Sequence, residues 1–78
     1  MPRIIENSAL NITGKKIKEF REAKNWSQQQ LSAKLETLAV YVCRGSISRI
    51  EAGNRTVTDI ELAGFSQVLC IPIEEFFS

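Results

Sequence analysis

The stretch RGSISRIEAGNR, residues 44–55, decides how this chain is read. Ile47 and Ile50 lie three apart, and Gly53 follows as a stop, so the spacing predicts a short helix from Arg44 to Ala52. At about 100° per residue, Arg44, Gly45, Ser48 and Arg49 fall within roughly 140° on the side away from the isoleucines. That face holds only arginine, glycine and serine. A solvated helix face usually carries Glu, Lys, Gln or Ala, because glycine in a helix interior costs about 1 kcal/mol relative to alanine. Two readings are open on helix chemistry alone. Arg44 and Arg49 pair with Glu36 or Glu51 on the surface, or they wait for a partner outside the chain.

Working outward, the flanking segments also read as helices. WSQQQLSAKL carries capping-box spacing at Ser27 and Gln30, with Trp26 and Leu31 placed as a hydrophobic staple. Leu31, Leu35 and Leu38 give the buried stripe of a helix over about 28–38. Before it, TGKKIKEFREAKN predicts a helix over about 13–24, with Thr13 as N-cap, Ile17 and Phe20 inward and Asn25 as a left-handed stop. Arg21 and Lys24 continue that apolar stripe, so Arg21 calls for a partner. AVYVC, residues 39–43, is short, apolar and β-branched, but no second strand exists to pair with it; it reads as a partly buried connector. Thr58 and Glu61 form a second capping box, opening a helix over about 59–69. Its core stripe is Leu62, Phe65 and Leu69, and a second stripe runs through Ile60, Gly64 and Val68. After Pro72, a short terminal helix places Ile73, Phe76 and Phe77 at helical spacing. Residues 1–12 show no clean period and read as a loosely docked arm ahead of a 13–78 domain. The fold class expected is all-α.

Bulk composition bounds the rest. Seventy-eight residues make one small domain whose core is modest, so oligomerisation is a natural source of extra stability. The net charge is only +1, yet it is divided. Residues 1–57 hold all ten Lys and Arg with five acids; residues 58–78 hold four acids and no base. A basic body and an acidic end suggest two faces. There is no histidine, and two distant cysteines make no zinc site, so no metal or cofactor is expected. Cys43 and Cys70 read as reduced thiols of a cytoplasmic protein. A thiol ahead of the 44–52 helix also raises the possibility of an oxidation switch at Cys43. No apolar run is long enough for a membrane span. Without a histidine base, a phosphate-cradling loop or a nucleophile constellation, enzymatic function is not expected.

A capped helix, a connector and a short helix with small outward residues describe a helix-turn-helix. From Ile12 to Phe77 the chain resembles the Xre/Cro-type helix-turn-helix family, which includes the lambdoid phage repressors. The strings that carry the resemblance are TGKKIKEFREAKNWSQQQLSAKL, SISRIEAGNR and DIELAGFSQVLCIPIEEFF. The resemblance implies five helices and a sequence-specific, double-stranded-DNA-binding transcription regulator, most often a repressor acting as a homodimer on a two-fold operator. It implies base contacts from Arg44, Gly45, Ser48 and Arg49, and phosphate contacts from Gln28, Ser46, Asn54, Arg55 and Thr56. It pairs Arg21 with Glu51 as a structural ion pair. A dimer surface is expected at Ile60, Gly64, Val68, Ile71, Ile73 and Phe77, with Phe76 as a further candidate that equally suits the core. No small-molecule ligand is implied. The connector ETLAVYVC is about five residues longer than the family's usual turn, Cys43 is a poor N-cap, and Cys70 stands where a glycine is usual. The competing reading is a protein-interaction module of the same fold, an antitoxin or anti-repressor with little DNA contact.

Overall fold

The computed structural model describes residues 10–77. The described residues form four α-helices and a terminal 3-10 helix: α1 (Gly14–Ala23), α2 (Gln28–Glu36), α3 (Arg44–Glu51), α4 (Asp59–Leu69) and the 3-10 turn Ile73–Phe77. The class is all-α. The short terminal helix expected after Pro72 is a 3-10 turn. It is only five residues long, and its geometry serves to insert Phe76, which is fully buried and meets Phe20 edge-on at 5.4 Å between ring centroids. None of the helices among the described residues is long and apolar enough to cross a membrane.

Helix α3 packs on α1 and α2, α4 packs on α2 and α1, and the terminal turn closes over α1 and α4. One core results, built from Ile17, Leu31, Leu35, Val42, Ile47, Ile50, Phe65, Leu69 and Phe76. Trp26 packs at its margin, with the ammonium groups of Lys24 and Lys34 over its ring.

Both capping boxes form with both of their bonds. Ser27 Oγ accepts from the Gln30 N–H at 3.1 Å and Gln30 Oε1 accepts from the Ser27 N–H at 2.7 Å; Thr58 and Glu61 repeat the pattern at 3.1 Å each. Each α-helix also ends in the same way. Asn25, Ala39, Gly53 and Cys70 take left-handed φ values of 60°, 60°, 80° and 58°. The following N–H then reaches back to close a Schellman turn: Trp26 to Arg21, Val40 to Leu35, Asn54 to Arg49 and Ile71 to Ser66. Two of these four positions carry neither glycine nor asparagine, and a side chain there costs about 1–2 kcal/mol.

Local signals mislead in three places. Thr13 makes no side-chain cap. Asn11 does so instead: its Oδ1 accepts from the Gly14 N–H at 2.6 Å, while its Nδ2 donates to the carbonyls of Ile50 at 3.1 Å and Arg55 at 2.7 Å. Leu10 N–H adds a bond to the Gly53 carbonyl at 2.8 Å, which docks this end of the expected arm, and residues 1–9 lie outside the described residues. Helix α2 stops at Glu36, two residues early, and Leu38 is left exposed rather than buried, because the turn at Ala39 redirects the chain. Finally, Gly64 does not belong to a free apolar stripe. It is buried beneath its own chain, and a Cβ there would stand 3.1 Å from Leu35 Cδ2 and 3.3 Å from Val40 Cγ2.

Candidate nucleic-acid interface

Ile47 and Ile50 are fully buried and fix the rotation of α3, which turns Arg44, Gly45, Ser48 and Arg49 to solvent. Arg44 has no ion pair and no side-chain hydrogen bond among the described residues. Among the described residues, Arg49 donates only to Ser46 Oγ, at a long 3.4 Å. Neither arginine is tied to Glu36 or Glu51, so the surface-pairing alternative is not the arrangement adopted.

Glu51 is engaged elsewhere. Its carboxylate accepts from Arg21 Nε at 2.8 Å and Nη2 at 3.1 Å, a side-on pair between side chains only 10% and 4% exposed. Arg21 Nη1 also donates to the Trp26 carbonyl at 2.6 Å, and Gln28 Nε2 donates to Glu51 Oε1 at 3.0 Å. One carboxylate at the end of α3 therefore holds the end of α1 and the start of α2. The bond to Glu51 strengthens the charged form of Arg21 against its burial.

The residues flanking α3 divide. Ser46 is half-buried, and Asn54 and Thr56 are exposed beyond the Gly53 turn. Gln28 and Arg55 are each already engaged in part. Gln28 serves Glu51. Arg55 donates to both carboxylate oxygens of Glu61 at 2.9 Å and to the Thr56 carbonyl at 3.0 Å. That pairing, helped by the Thr58 N–H and against the opposing effect of burial, holds the Glu61 carboxyl below its ordinary range. Cys43 begins α3 in an extended conformation without a side-chain bond to the helix backbone. Its thiol is exposed, and hydrogen bonding with the Ser46 hydroxyl at 3.4 Å, helped by the Arg49 charge, lowers its pKa from the ordinary thiol value.

Residues 17–76 match the family model described as helix-turn-helix, well over half of the chain. This chain belongs to the Xre/Cro-like helix-turn-helix family. Comparison with curated proteins finds no match. Membership makes the chain a DNA-binding helix-turn-helix regulator, with α2 and α3 as its two motif helices. In this regulator the turn between them is not a three-residue link but the segment 37–43, set by the left-handed Ala39.

Two features of the site escaped the residue pattern. Asn11 ties the start of α1 to the end of α3 and the loop behind it; an asparagine three residues before Gly14 was the available signal. Ser32, Glu36, Tyr41, Val42, Cys43 and Ser46 enclose a concavity of about 310 Å³ at the start of α3. The alternation Val40, Tyr41, Val42 was its only trace. The expected dimer residues differ in exposure: Ile60, Ile73 and Phe77 are exposed, Val68 and Ile71 half-buried, and Gly64 buried.

Proposed function

We propose that this regulator is a repressor that binds a two-fold operator as a homodimer, with α3 lying in the major groove. The observation that carries the reading is the outer face of α3, where Arg44 and Arg49 stand beside Gly45 and Ser48 without acidic partners. Arginine donates in pairs to guanine O6 and N7, serine donates or accepts, and glycine admits the helix backbone close to the bases. Ser46, Asn54 and Thr56 flank that face and suit phosphate contacts, which supply affinity without reading sequence. Gln28 and Arg55 keep N–H groups beyond those given to Glu51, Glu61 and the Thr56 carbonyl, and these suit phosphate oxygens as well.

A homodimer sets two copies of α3 about 34 Å apart along one DNA face. Ile60, Ile73 and Phe77 are 69%, 41% and 53% exposed, and this uncovered apolar surface supports self-association. The same exposed residues also favour the second reading, an interaction module that meets another protein. Selection of bound sequences from random duplexes, with the parent, Arg44→Ala and Arg49→Ala, separates the two. The expected result is a paired G·C-containing site whose preference relaxes at different positions in the two variants. A reporter driven through the selected site then falls when the protein is present. If both variants select the parental site, Arg44 and Arg49 are not the reading residues; if the parent retains no duplex even at low salt, the interaction module replaces the regulator.

A further inference from the structure

The connector between α2 and α3 is built rather than slack. Ala39 takes its left-handed turn, and the Val40 N–H closes onto the Leu35 carbonyl at 3.1 Å. Val40 packs over Gly64, where the missing Cβ makes room for it, and Val42 is 2% exposed in the core. Tyr41 stands between these two anchored valines and is 74% exposed. The core thus fixes the connector and turns one aromatic ring outward, just ahead of the first turn of α3.

That ring walls the concavity shared with Ser32 and Glu36 of α2 and with Cys43 and Ser46 at the start of α3. No Lys or Arg lines it. The Glu36 carboxylate has no ion pair and no side-chain hydrogen bond among the described residues. The concavity beside Arg44 is therefore lined by acceptors, the unpaired Glu36 carboxylate among them. A partner that presents N–H donors is favoured, and at the floor of the major groove such donors are the exocyclic amines of bases, with Glu accepting from cytosine N4.

We propose that Glu36 and Tyr41 form a second reading element beside α3, in which Glu36 accepts from the amino group of a cytosine next to the base pair faced by Arg44, and the Tyr41 ring shields that contact from water. The assignment rests on the DNA-reading role of α3 and adds to it a specificity that the longer connector makes possible. Glutamine pairs with adenine as glutamate pairs with cytosine. Selection from random duplexes with Glu36→Gln is therefore expected to move the preferred base at one position, adjoining an arginine-read pair, from cytosine toward adenine. The discrimination at that position is about tenfold. Tyr41→Ser relaxes the same position without changing the salt dependence of binding, because a phenol releases no counterions. Both side chains are exposed, so neither variant disturbs the fold. An unchanged preference in Glu36→Gln overturns the assignment, as does a parental site with no cytosine beside the arginine-read pairs. If Arg44→Ala relaxes its own position while Glu36→Gln changes nothing, the second element fails and the role of α3 stands. A parent that selects no sequence removes both.

Discussion

Gly45 offers a test in which stability and binding move in opposite directions. It is the second residue of α3, and its φ is not among the positive ones. A Cβ built on it meets a single neighbour, Arg49 Nη1 at 3.9 Å, an ordinary contact with a flexible side-chain end. Nothing within the chain requires glycine here. Gly14 is the opposite case: a Cβ there collides with the Ile50 carbonyl oxygen, so its close approach is internal. Replacing Gly45 with alanine restores helix propensity. The gain in a helix interior is about 1 kcal/mol, and in the first turn about half of that. For a domain of this size half a kcal/mol raises the melting temperature by ~2–4 °C. On DNA the added methyl stands between the helix backbone and the base edges. Displacing the helix there weakens the arginine–guanine pairs, each worth roughly 1–3 kcal/mol. Gly45→Ala is thus expected to melt later and to bind its selected duplex about tenfold or more weakly, while affinity for scrambled duplex is nearly kept. Circular dichroism melts and binding titrations on both duplexes measure the two effects. A variant that is more stable and binds the selected site undiminished would refute close approach along this face. A variant that is less stable would refute the open space around Gly45.

Three further outcomes concern the framework. Arg21→Met and Glu51→Leu each strand a buried charge and cost about 3 kcal/mol; the double variant costs clearly less than their sum in urea denaturation, because it strands neither. Ala39→Gly and Cys70→Gly each relieve a left-handed side chain and stabilise by about 1 kcal/mol, read as a rise of ~4–8 °C in melting temperature. The Glu61 carboxyl is held below its ordinary value by Arg55, so its contribution is complete above the unfolded value and is lost as pH falls through the lower folded one. The stability advantage of the parent over Glu61→Gln is therefore constant above about pH 5 and shrinks below it; no shrinkage on acidification would contradict the Arg55–Glu61 pairing.

What was legible in the sequence was what local chemistry decides. Ser27 with Gln30, and Thr58 with Glu61, announce their helices because both partners lie within one turn. The rotation of α3 follows from two isoleucines. Harder to read was whatever depends on a distant partner. Thr13 has the right chemistry for a cap, but Asn11 wins because it also satisfies two carbonyls about forty residues away. Ile60, Gly64 and Val68 do share a helical stripe, yet a connector without any period covers its middle, and Val40 turns an expected dimer contact into an internal one. Arg55 follows α3 as a phosphate ligand would, and only the folded turn reveals that Glu61 already holds it.

The same pairings bear on how the interface is presented. Glu51 closes α3 at the edge of the outward face and gathers donors from Arg21 on α1 and Gln28 on α2. Asn11 holds the carbonyls of Ile50 and Arg55, on either side of the Gly53 turn. The last turn of α3 is thus clamped from two directions by polar groups, while Ile47 and Ile50 hold its inner side by burial. Polar bonds fix register and rotation in a way that apolar packing alone does not, since packing tolerates small slides at little loss. A reading helix needs that definition, because a guanine pair is formed or missed within a fraction of an ångström. The unclamped groups on α3 are then Arg44, Ser48 and Arg49. The division is physical: Glu51 and Asn11 are spent on position, while the outer-face arginines carry no acidic partner among the described residues, which is what the proposed contact with base edges requires.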